Sequence, residues 1–146
     1  MKEKLEIVQD SREKKSLFKS ATIKVLRTGD YSLLNLENEI SIERKSLIDL
    51  VNSLVQNRKR FKKELERSRE LKYFAIIIEG HYTDLIHDRY KGSSYTKVKG
   101  ETISKILCTL HIKYGVNFFF TCDRNGSKKL IKHLFESYLK FICDQL

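Results

Sequence analysis

The sequence has no proline, only six glycines and only three cysteines among its 146 residues. Without proline, and without a Gly/Ser-rich stretch, nothing marks a linker, and no internal repeat divides the chain. The cysteines, Cys108, Cys122 and Cys143, are odd in number and widely spaced. No C-x-x-C pair exists, which excludes a zinc knuckle and gives no disulfide framework. The expectation is free, mostly buried thiols in a reducing compartment. The four histidines (His81, His87, His111 and His133) have no metal-ligand spacing. The start, Met1-Lys2-Glu3-Lys4, carries no apolar signal core. No run approaches membrane-spanning length. A cytoplasmic protein without membrane association is expected, nucleoid-associated or phage-encoded.

What is present is charge. Lys and Arg number 29 against 19 Asp and Glu, a formal net charge of +10, and 40% of the residues are hydrophobic. The length fits one domain, residues 1–146, large enough to bury a core. The basic residues are spread along the chain rather than gathered in a tail, which points to a folded basic surface. A polyanion is the natural partner, nucleic acid first. The blander reading is charge kept for solubility.

Leu5–Val8 and Thr22–Leu26 read as strands, with a short helical turn between them at Lys14–Phe18. Tyr31–Leu36 and Ile40–Lys45 form two more around the polar turn Glu37-Asn38-Glu39, antiparallel because the connection is short. The period then changes. Ser46 is an N-cap with Asp49 three residues on, and Leu47, Leu50, Val51, Leu54 and Val55 recur at helical spacing. Arg58–Leu71 is a second helix with Phe61 and Leu65 as its apolar points. Tyr73–Ile78 is a near-continuous apolar run, as in a central strand buried on both faces. A short helix over Thr83–Arg89 precedes a polar loop, His87–Gly100. A helix over Glu101–Tyr114 stops at Gly115, and a buried strand follows over Val116–Cys122. A last helix runs from Asp123–Ser127 to about Cys143. The class is α/β: a mixed sheet with helices on both faces, its later strands parallel to their neighbours.

Chemistry concentrates between Asp30 and Lys45. In an alternating strand Ile40 and Ile42 point to one face, Glu43 and Lys45 to the other. A carboxylate and an ammonium then stand together opposite the core. Asp30 lies one strand earlier, after Gly29, where a hairpin brings it beside Glu43. Two hard oxygen ligands and a lysine suit a Mg²⁺-dependent hydrolase of phosphodiesters. Asp10 and Glu13 are the next carboxylates. Two like charges about 4 Å apart at an effective dielectric of about 20 repel by about 4 kcal/mol. A cleft gathering four acids therefore predicts a divalent cation, and weaker stability without it.

The ordered set Asp10-Ser11-Arg12-Glu13, Gly29-Asp30-Tyr31 and Glu43-Arg44-Lys45-x3-Asp49 resembles the signature of XPF/Hef-type structure-specific nucleases, G-D followed by E-R-K-x-x-x-D. The resemblance extends through Ser53-Leu54, Arg58-x-x-Phe61 and Ile76–Gly80, covering residues 5–80 strongly and the rest in element order. The compact stand-alone form of bacteria and phages is the nearest in look. It implies a restriction-endonuclease-like fold, a Mg²⁺ or Mn²⁺ cofactor on Asp30 and Glu43, action on branched or flapped DNA in repair, recombination or phage replication, and pairing of two copies. The tandem helix-hairpin-helix module and helicase of larger members are not expected here.

Lys45 would orient or deprotonate the attacking water, or stabilise charge on the phosphorane; the alternative is a salt bridge to Glu43. Asp10 is counted with the metal ligands; Asp10 or Glu13 serves a second metal or only orients the ligands. Arg12 and Arg44 are cations among acids, set to pair with one of them or, for Arg12, to bind the scissile phosphate. Asp49 is Arg44's partner or a cap. Arg58, with Arg89, Lys91, Lys97 and Lys99 of the polar loop, is a DNA-contact candidate, the alternatives being solvated faces and a plain surface loop. Tyr31 is assigned to the core. The last helix is apolar over a wider arc than one core stripe needs, giving either a homodimer surface or a helix packed into its own core. A metal-dependent DNA endonuclease is the leading reading. A catalytically silent DNA-binding subunit is the alternative, although silent relatives have generally lost acids and none is missing here.

Overall fold

A computed structural model of the chain describes residues 4–90 and 97–144. Among the described residues six strands make one sheet: β1 (Ile7–Asp10), β2 (Thr22–Lys24), β3 (Tyr31–Leu33), β4 (Ile40–Ser46), β5 (Tyr73–Glu79) and β6 (Asn117–Phe120). Five helices among the same residues accompany them: α1 (Leu47–Val55), α2 (Arg58–Ser68), α3 (Tyr82–Ile86), α4 (Gly100–Tyr114) and α5 (Arg124–Asp144). The strand order is β2-β1-β3-β4-β5-β6. β1–β3 and β3–β4 are antiparallel; β1–β2, β4–β5 and β5–β6 are parallel. The α/β expectation, a mixed sheet with helices on both faces, holds.

The two faces carry two cores. On one, Ile76 and Ile78 pack with α1, α2 and α4 through Leu50, Val51, Leu65 and Ile103. On the other, Ile40, Ile42 and Ile77 pack with Tyr31, Leu17 and α5's Ile131 and Phe135. β5 lies centrally with Phe74–Ile78 all buried, which is why its run is apolar on both faces. In the β4–β5 register Glu43 faces Ile76 and Lys45 faces Ile78, so both stand on the α1–α2 face, as the alternation of β4 requires.

Several boundaries shift for physical reasons. No helix forms over Lys14–Phe18. There the Leu17 amide donates to the Tyr31 hydroxyl at 3.2 Å, and Leu17 fills the core beneath. β2 stops at Lys24 because the Leu26 amide donates to the Asp10 carboxylate rather than to a ladder carbonyl. It is an edge strand: its own Ile23 and the following Val25 are 66% and 79% exposed. β3 ends at Leu33, where the chain turns and Asn35 takes φ 68°. β6 is also an edge strand, half-buried rather than buried. Cys108, Cys122 and Cys143 are exposed, correcting the expectation of buried thiols: two sit on the outer faces of α4 and α5, and Cys122 follows β6 in a left-handed turn. Gly115 ends α4 at φ 69°, as expected. Among the described residues no helix is long and apolar enough to cross a membrane.

Candidate active site

Asp30 is placed by the residue before it. Gly29 has φ 87°, and a Cβ there would lie 2.0 Å from Ser41 Oγ, which donates to the Thr28 carbonyl at 2.6 Å. Only glycine lets the chain pass so close to β4 in that conformation. The Asp30 amide then donates to the Ile42 carbonyl at 2.9 Å. The Arg44 amide donates to Asp30 Oδ2 at 2.8 Å. Asp30 is thereby fixed beside Glu43, and the two carboxylates come within hydrogen-bonding reach.

Burial raises the Asp30 carboxyl, against the opposing hydrogen bonds from Glu43 and the Arg44 amide. Burial, with the carboxylates of Glu64 and Asp30 close by, holds Glu43 well above the usual carboxylate range. Lys45, two residues on, shares Glu43's face, its Nζ 5.5 Å from the centre of the Phe61 ring.

Asp10 and Glu13 line the same cleft of about 460 Å³. Both are occupied. Asp10 Oδ1 accepts from the Leu26 amide at 2.8 Å, and Oδ2 from Arg12 Nε at 2.8 Å. Burial pushes Asp10 up, but the Arg12 guanidinium and the Leu26 and Arg12 amides bring it below its usual value. Arg12 Nη2 also reaches the Leu26 carbonyl at 3.0 Å, so its fork holds the loop. Glu13 lies 3.8 Å from Arg44, whose main partner is Glu79 of β5, bound through Nε and Nη2. Arg44 therefore pairs with Glu79, not with Asp49. The Ser46 hydroxyl accepts from the Asp49 amide at 3.1 Å as the cap of α1, while Asp49 stays exposed on the cleft wall.

The four acids thus share one cleft, but among the described residues no three His, Cys, Asp or Glu side chains converge as a ready metal cage. Of the four, Asp30 and Glu43 are the two brought within hydrogen-bonding reach of each other.

Sequence reasoning placed α2 but missed what it brings to the cleft. Glu64 of this helix faces Glu43 from across the cleft. Its Oε1 is buried without a hydrogen-bond partner, as is Nε of Arg67. An unmet buried polar group costs about 1–3 kcal/mol. Phe61 and Leu65, both buried, set the face of α2 that packs, and Glu64 and Arg67 flank it. That spacing was the available signal.

The DNA-contact candidates lie elsewhere. Arg58 lines a separate groove between α2 and α4. Arg89 pairs with Asp84 at 3.4 Å, and Lys97 and Lys99 are exposed ahead of α4. Lys91 lies outside the described residues.

With this geometry in place, the sequence profile of the ERCC4 domain matches residues 4–134. The chain belongs to the ERCC4 domain family. The 3′-flap repair endonuclease Xpf of Saccharolobus solfataricus is 30% identical over 143 residues, covering 92% of this chain and 56% of that protein. The chain thus spans little more than half the length of that curated relative. XPF from Aeropyrum pernix in complex with DNA superposes with a TM-score of 0.72 at 25% identity, covering 94% of this chain and 66% of that one. A second Aeropyrum pernix XPF structure gives a TM-score of 0.67 at 24% identity. The ERCC4 domain accounts for the restriction-endonuclease-like sheet, and its match runs into α5.

Proposed function

We propose that this chain is a metal-dependent DNA endonuclease that hydrolyses phosphodiester bonds and prefers branched or flapped DNA. The observation that carries the reading is the pairing of Asp30 with Glu43 across β3–β4, with Lys45 on the same strand face. Membership of the ERCC4 domain family, and the DNA and flap named for its relatives, support the substrate class.

The residues fit a hard divalent cation. Both carboxylates are pushed toward their protonated forms by burial, Asp30 also by the charges of Glu13 and Glu64 and Glu43 by Glu64 and Asp30, and among the described residues Glu64 Oε1 lacks a partner; a cation relieves both. Asp30 and Glu43 would hold Mg²⁺ or Mn²⁺. Such an ion, when bound, supplies Lewis-acid stabilisation of the negative charge that develops on the phosphate. Lys45 supplies a fixed positive charge beside it and holds the water that attacks phosphorus, or the oxygen that gains charge. Asp10 and Arg12 hold the loop that walls the cleft. Arg44 joins β4 to β5 so that Glu43 and Lys45 keep their orientation. A homodimer through α5 belongs to the same proposal.

The test is cleavage of labelled flap, fork and linear duplexes with Mg²⁺, Mn²⁺ or EDTA, beside Asp30→Asn and Lys45→Ala. Product that needs the metal, favours the flap and is lost in both variants is expected. DNA binding with no metal-dependent product from the unaltered protein would instead make it a silent DNA-binding subunit.

A further inference from the structure

α2 presents Arg60, Glu64 and Arg67 to the cleft at intervals of four and three residues, a single stripe along one helix face. Glu64 faces the acids of β3 and β4. Arg67 has no such role, and its environment is unusual for an arginine. Nε is buried with no acceptor, and among the described residues Arg67 forms no ion pair. By contrast, the guanidinium groups of Arg12 and Arg44 are bound by acids and carbonyls. A desolvated N–H donor that nothing among the described residues satisfies is held for an acceptor that arrives from outside. The acceptor must be anionic, must fit a cleft of about 460 Å³, and must lie one helical turn from Glu64. A phosphate of a nucleic-acid backbone meets all three conditions, and a planar guanidinium suits its oxygens better than an ammonium does.

We infer that Arg67 is a phosphate-binding residue of this cleft, contacting the DNA backbone next to the acids of β3 and β4. The inference rests on the reading that the cleft takes DNA. It does not depend on cleavage.

The experiment measures binding of a fluorescein-labelled flap duplex by anisotropy in EDTA over a series of salt concentrations. The unaltered protein is compared with Arg67→Gln, Arg67→Lys and Lys63→Gln, an exposed position of the same helix outside the cleft. Arg67→Gln is expected to weaken binding about 5-fold or more and to flatten the salt dependence by about one phosphate contact. Arg67→Lys keeps the slope and loses only part of the affinity, and Lys63→Gln stays within about 2-fold of the unaltered protein. A folded Arg67→Gln that behaves like Lys63→Gln overturns the inference, because then only net charge matters. If Arg67→Gln does not fold, Arg67→Lys decides: weaker binding at an unchanged melting temperature supports the contact, and unchanged affinity removes it. Because no divalent ion is present, binding is read apart from cleavage: absence of product from the unaltered protein in the separate Mg²⁺ assay would count against the nuclease reading and leave this result standing.

Discussion

The Arg44 amide donates to Asp30 Oδ2 at 2.8 Å, so the residue after Glu43 clamps the acid that faces Glu43. One oxygen of Asp30 is held by the backbone of β4, and the carboxylate has little freedom to turn away. Asp30→Asn keeps an acceptor for that amide, whereas Asp30→Ala removes it. Asp30→Asn is expected to fold with nearly unchanged stability and to lose about 100-fold or more in metal-dependent cleavage, since metal stabilisation of the transition state amounts to several kcal/mol. Asp30→Ala should lose the same activity and also melt earlier by several degrees. Thermal melts and cleavage of a flap duplex, run side by side, check both. A fully active Asp30→Asn would contradict the site.

Glu43 gives a pH dependence of definite sign. Its carboxyl, like that of Asp30, lies above its unfolded value, so the folded state holds the proton more tightly than the unfolded chain. The stability this contributes is complete below the ordinary carboxylate values of 3.8 and 4.5, and is lost as pH rises through the folded values. In EDTA, Glu43→Gln should therefore melt above the unaltered protein at neutral pH, and the difference should shrink toward acid pH. Adding Mg²⁺ should raise the melting temperature of the unaltered protein, more at higher pH as the acids ionise, and leave Glu43→Gln nearly unmoved. Equal melting temperatures in EDTA at all pH values would contradict the strain.

Arg44 and Glu79 join neighbouring parallel strands, with side chains only 10% and 19% exposed. Removing one member leaves the other poorly solvated. Arg44→Ala is expected to cost about 3 kcal/mol, as for other largely buried ion pairs that lose one partner. Urea unfolding measures it, and a loss below about 1 kcal/mol would show that the pair adds little.

The wide apolar arc of α5 suits either a homodimer surface or a helix packed into its own core. Its Ile131 and Phe135 are fully buried in the protein's own core, with Leu130, Leu134, Tyr138 and Leu139 packed around them. Phe141 remains 57% exposed. If two copies pair through α5, Phe141→Glu should give monomers in sedimentation velocity at an unchanged melting temperature. A substitution at Phe135 would only unfold the chain. The same sedimentation coefficient for Phe141→Glu and the unaltered protein, both monomeric, would remove the dimer.

The sequence read most surely where chain-local rules decide the outcome. A period of two in β4 sends Glu43 and Lys45 to one face whatever lies around them. A continuous apolar run in β5 admits only a centre buried on both sides. Gly29 permits the one turn that delivers Asp30. The strand ends were less legible, because side chains from afar replace ladder bonds: the Asp10 carboxylate takes the Leu26 amide and shortens β2.

From the sequence alone came the acidic pair, the adjoining lysine and the layered sheet, each set by residues near in the chain. Only the folded molecule decided that Glu79, 35 positions away, holds Arg44, and that Glu64 and Arg67 complete the cleft. The angle at which α2 lies on the sheet follows from the packing of Phe61 and Leu65 against other elements. The spacing of Phe61 and Leu65 marks which charges flank the packed face, and the angle of α2 decides that Glu64 and Arg67 turn into the cleft.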